Sequence, residues 1–147
     1  MAAASSGLTV QNIISSYLAG KTVKAMLTGS GYVFDKHTHT FRSSVTGEVT
    51  GTGYVAGGIS LSGVTTQQDV ANSRVEIIAD DANFGTLTVS GIAQIVVYID
   101  NGSAAADRII GAHTFTAESP AGENFTYAWY DDDASAGTKG VIGYFTY

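Results

Sequence analysis

The sequence predicts an all-β fold: an antiparallel sandwich or barrel-like domain of eight or nine short strands, with one short N-terminal helix or arm. Three observations carry this. After residue 21, apolar residues alternate with polar ones through most of the chain, the period of a half-buried strand. Glycine supplies 18 of 147 residues and proline one, so turn formers recur between β-prone runs. Finally, 44% of the chain is hydrophobic and 14% charged, and a chain of this length buries about 70% of the surface its unfolded form exposes.

Residues 1–7, MAAASSG, are small and polar and read as a flexible arm. In LTVQNIISSYLAG, Val10, Ile13, Ile14, Tyr17 and Leu18 follow helical spacing, Thr9 offers an N-terminal cap and Gly20 stands where a C-terminal cap belongs. Residues 1–20 are therefore taken as an arm with a short helix, and residues 21–147 as a single β domain. In TVKAMLT, Val23, Ala25 and Leu27 share one face and Lys24, Met26 and Thr28 the other. GSGY is a turn, and VFDKHTHTFR, polar with aromatic punctuation, a loop. SVTGEVTGTGYV and GISLSGVT alternate as strands, the second placing Ile59 and Leu61 against Ser60 and Ser62. RVEIIAD turns Val75 and Ile77 inward. Residues 86–100, TLTVSGIAQIVVYID, form the longest β-prone segment, closed by the turn signal Asp-Asn-Gly at 100–102. RIIGAHTFT, ENFTYAWY and VIGYFTY complete the strands. In ENFTYAWY, Phe125, Tyr127 and Trp129 share a face, and DDDASAGTKG is the last turn.

Charge narrows the function classes. The net charge is −6, the isoelectric point about 4.7, and the seven Lys and Arg do not cluster. Nucleic-acid binding needs a basic stripe for phosphates, and an acidic surface disfavours anionic membranes. Neither partner is expected. Without cysteine there is no thiol nucleophile or Cys-based zinc site, and the chain suits a reducing cytoplasm. The N-terminus lacks the features of a signal peptide. The strongest apolar run, residues 92–99, is too short to span a bilayer.

No stretch carries a convincing catalytic pattern, and no cofactor is expected. GEVTGTGYVAGG, residues 47–58, contains Gly-x-Gly, but a strand-like segment follows it where phosphate binding needs a helix N-terminus. AGKT at 19–22 lacks the upstream glycine of a P-loop. DKHTH is the most metal-like string: Asp35, His37 and His39 would suit zinc or iron if they converged, and a polar loop otherwise. Asp80 and Asp81, like residues 131–133, lack the spacing of a calcium loop. Four glutamates, Glu48, Glu76, Glu118 and Glu123, show no pairing in sequence. Tyr127, Trp129, Tyr144 and Tyr147 suit either a core or a sugar-stacking face.

The stretch VKAMLTGSGYVFDKHTHTFRSSVTGEVTGTGYVAGGISLSGVT resembles a family of small tailed-bacteriophage virion structural proteins encoded near the major capsid protein. The matching elements are Val23 to Leu27, Ser30 to Tyr32, Asp35 with His39 and Phe41, and Glu48 to Leu61. VEIIADDANF and IAQIVVYID continue the likeness, which covers residues 10–110, and EVTGTGYVAGG is its most specific part. The resemblance implies a virion component. The first expectation is a capsid decoration (cement) protein on the head surface, assembled in the host bacterial cytoplasm, with the major capsid protein as partner and a homotrimer as its own assembly. Other expectations are a tail-tube, head–tail junction or head-fibre protein, or a carbohydrate- or receptor-binding module. Ile13, Ile14, Tyr17 and Leu18 are the expected docking anchors, or else pack on the domain's own sheet. Tyr54 points either inward or onto a neighbour.

Overall fold

The structure, a computed structural model, describes residues 6–129 and 139–147. Residues 1–5 of the expected arm and most of the last expected turn, including 131–133, lie outside the described residues. The chain folds as α1 (Gly7–Leu18) followed by ten strands: β1 (Thr22–Thr28), β2 (Gly51–Thr52), β3 (Ile59–Ser60), β4 (Thr65–Asp69), β5 (Arg74–Asp80), β6 (Ala82–Val89), β7 (Ile92–Asp100), β8 (Arg108–Glu118), β9 (Ala121–Tyr127) and β10 (Lys139–Thr146). They form three antiparallel sheets, ordered β3-β1-β7-β8, β10-β5-β4 and β2-β6-β9, in a sandwich-like arrangement. One apolar cluster joins all three, from Leu27 and Ile95 through Ile77 and Ile142 to Leu87 and Phe125.

The helix starts one turn earlier than its apolar pattern. Ser6, in extended conformation, takes the N-cap position, and its carbonyl accepts from Val10 N–H at 3.0 Å. Thr9, the expected cap, lies inside the helix. Gly20 does close it, with φ of 72°.

Eight of the nine residues of β7 are buried, so its inner and outer faces are both covered. Ile95, Val97 and Ile99 face the main cluster. Val96 and Tyr98 join Met26 and Tyr32 in a second cluster, over which Phe34 and Val45 pack. The aromatic loop after β1 is thus a lid on the outer face of its sheet. That is why residues 92–99 read as a continuous apolar run.

Two expectations need correction, and one strand was not foreseen. Residues 86–100 are not one segment: Gly91, at φ 69°, ends β6 and starts β7, which belong to different sheets. The alternating stretch 44–55 supplies only the two residues of β2; next to it Val49 N–H donates to Leu27 O and Glu48 forms only an isolated bridge with Thr28. Strand β4, TTQQD, has no apolar alternation and was invisible to pattern; it pairs with β5 from Thr65↔Ile78 to Asp69↔Arg74.

Candidate functional site

The helix divides its apolar residues. Ile14 and Leu18 pack against the main cluster, whereas Ile13 and Tyr17 remain 64% and 44% exposed. No helix residue is fully buried. Polar contacts hold it instead: Gln11 Nε2 donates to Thr66 O at 3.1 Å, Gln68 Nε2 to Gln11 Oε1 at 3.3 Å, and the Ser15 and Thr66 hydroxyls lie 2.6 Å apart. Ile14 and Leu18 thus touch the core while Ile13 and Tyr17 face outward, yet all four line one groove.

Beside the outward pair lies a groove of about 620 Å³, open to solvent at the mouth of the sandwich. The α1 residues Ile13, Ile14, Tyr17 and Leu18 form one wall; Ile77, Ile99, Ile110 and Phe145 supply apolar surface from β5, β7, β8 and β10. Lys36, His39 and Arg108 also line it. The sequence pointed to the helix side, and to His39 only as a candidate metal ligand. The opposite side comes from strands that are far apart in the chain.

Tyr54 turns inward. Its hydroxyl accepts from Leu27 N–H at 3.0 Å and donates to Glu48 Oε1 at 2.8 Å, and its ring stacks on Phe84. Gly57 N–H donates to the same Glu48 oxygen, and Tyr98 Oη donates to Gly57 O at 2.6 Å. Burial raises the Tyr54 phenol far above its ordinary value; the Leu27 N–H opposes this and the Glu48 bond adds to it. The phenol is therefore a permanent donor. Residues 48–58 form a clasp that satisfies the edge of β1 beyond its short pairing with β3. Its glycines serve close approach: a Cβ on Gly58, at φ 74°, would lie 1.8 Å from Ala25 O.

The metal-like string is committed to its own turn. Asp35 Oδ1 accepts from His37 N–H at 2.8 Å and Oδ2 from the Thr38 hydroxyl at 2.8 Å, which lower the carboxyl's pKa. His39 stacks on Tyr32, and its Nδ1 accepts from Asp35 N–H at 3.2 Å. Among the described residues, no three His, Asp or Glu side chains are grouped to hold a metal ion.

Two of the four glutamates are held in networks with other residues. Glu48 is in the clasp, and Glu76 is buried in a network with Arg74 at 2.6 Å and Gln67 at 2.8 Å. The aromatic C-terminal strands split. Phe125 and Trp129 are buried, with His113 and Tyr127 edge-on against Trp129, while Tyr144 and Phe145 are exposed.

A buried pair escaped the sequence reading. Asp107 is wholly buried; its Oδ2 accepts from Arg42 Nε at 2.7 Å and its Oδ1 from Asn101 N–H at 2.7 Å. The pair ties the β7–β8 connection to the short 3₁₀ turn Arg42–Ser44, and the Arg42 guanidinium lies over the Tyr98 ring.

Comparison with protein-family models, curated proteins and solved structures finds no match to this chain. Among the described residues, no helix is long and apolar enough to cross a membrane. What the site offers chemically is apolar area beside positive charge, which is the chemistry of binding.

Proposed function

We propose that this chain is a bacteriophage capsid decoration protein that docks on the outside of the assembled head, ties neighbouring capsid subunits together and self-associates as a homotrimer. The observation that carries the reading is the half-docked helix: Ile13 and Tyr17 stand exposed beside an apolar groove at one end of a β-sandwich-like scaffold. The sequence resemblance over residues 10–110 implies a virion component, the class to which this role belongs. Covering the exposed part of Ile13, 64% of its surface, contributes about 1–2 kcal/mol, repeated at many equivalent positions on a shell.

Counting copies in purified virions tests the role. Near-stoichiometric amounts relative to the major capsid protein are expected. A few dozen copies, or multiples of six confined to the tail, would instead favour another virion component. For the surface itself, a variant with Ile13→Asp and Tyr17→Asp should fold normally and fail to bind isolated heads. Undiminished binding refutes the role of the helix.

A further inference from the structure

We propose that the groove at the mouth of the sandwich docks an apolar peptide segment that carries a carboxylate, the acid meeting Lys36 and Arg108. This inference goes beyond the virion reading, because it concerns the chemistry of the occupant and holds for any partner protein.

The argument is one of charge complementarity. The chain has 13 acidic residues against seven basic ones, so an anion is repelled by most of its surface. Four of the seven cations are already in ion pairs: Lys24 with Asp100, Arg42 with Asp107, Arg74 with Asp69 and Glu76, and Lys139 with Asp80. Lys21 donates to Asn101 Oδ1 and lies over the Tyr17 ring. The remaining two, Lys36 and Arg108, have no carboxylate partner among the described residues, and both line this groove. Its lining includes no Asp or Glu. Arg108 is held in place by the Phe41 ring, 5.1 Å from its guanidinium carbon, which orients it without neutralising it. Apolar walls with cations at the side match an interface whose core excludes water and whose rim selects charge. The groove is open to solvent, so a segment still attached to a larger protein can enter it. A fatty acid shares the chemistry of an apolar chain with a carboxylate, but it favours a more enclosed cavity.

The test is selection from a ribosome-displayed library of random dodecapeptides on the immobilised full-length protein. Enriched peptides should combine large apolar residues with Asp or Glu. They should bind at least tenfold more weakly at 0.5 M than at 0.05 M salt, because exposed charges are screened. The exposed pair Lys36→Glu with Arg108→Glu should reverse the charge preference while the circular-dichroism melting curve stays unchanged. Should that variant melt early, Lys36→Gln with Arg108→Gln should still weaken a selected acidic peptide about tenfold. Enrichment without acidic bias, no enrichment, or selected peptides indifferent to these substitutions overturns the proposal. So does saturable binding of oleate with no peptide enriched, which assigns the groove to a fatty acid.

Discussion

Replacing Asp107 by alanine should be among the most damaging single changes in this protein. The carboxylate is fully buried and accepts two bonds of 2.7 Å, from Arg42 Nε and Asn101 N–H. Each hydrogen bond to a charged group is worth about 1.5–3 kcal/mol, and removing one partner of a buried ion pair costs about 3–5 kcal/mol. The Arg42 side chain is 25% exposed, so water can reach it once its partner is gone. The lower end, roughly 3 kcal/mol, is therefore expected. With a urea slope of about 2 kcal/mol/M, the unfolding midpoint should fall by roughly 1.5 M. Asp107→Asn keeps an acceptor for Asn101 N–H and should lose only about 1–2 kcal/mol. Burial, the largest influence on this carboxyl, raises its pKa, but the bonds from Asn101 and Arg42 outweigh it and the pKa is lowered. Its stabilisation is thus complete above the unfolded carboxylate value near pH 4 and is lost as pH falls through the lower folded value. The alanine variant should lack that part of the acid limb. Urea titrations at pH 7 and across pH 2–5 check both points. If alanine and asparagine variants both lie within about 0.5 kcal/mol of the parent, the pair is not a stability determinant.

Tyr54→Phe should cost about 1–3 kcal/mol, since it strips Leu27 N–H and Glu48 of a shared partner; hydrogen exchange should show the Leu27 amide losing protection. Gly58→Ala should prevent stable folding at 37 °C, because its Cβ would meet Ala25 O, whereas Gly122→Ala, at φ 80° with nothing within 4 Å, should cost only about 1 kcal/mol of strain; thermal melts separate the two. Burial lowers the pKa of His113, opposed by its bond to Ile142 O. Stability should therefore be full above the unfolded histidine value near pH 6.5 and decline as pH falls through the lower folded value. His113→Asn should flatten that dependence in denaturant titrations between pH 7.5 and 5.

The fold class was legible because side-chain periodicity is local. Val23, Ala25 and Leu27, or Val75 and Ile77, declare an inward face within five residues, and Gly20 marks a helix end by its own backbone freedom. The helix and most long strands were therefore readable in place. The clasp at 48–58 was legible as a glycine-rich turn but not as a clasp, since its partners, Leu27 and Tyr98, are remote in sequence. β4 was hidden because an edge strand that rests on a polar helix face needs no apolar alternation.

By itself, the sequence determined a β-rich, acidic, cysteine-free scaffold, an amphipathic N-terminal helix and a glycine-rich signature. Those properties follow from composition and from contacts within a few residues. Only the tertiary structure decided which apolar residues stayed exposed, that Tyr54 faces inward, that Asp107 meets Arg42 65 positions away, and that Lys36 and Arg108 share a groove with Ile13 and Tyr17. These depend on sheet order and on how chain ends close over the core, and such long-range juxtapositions leave no local pattern to read.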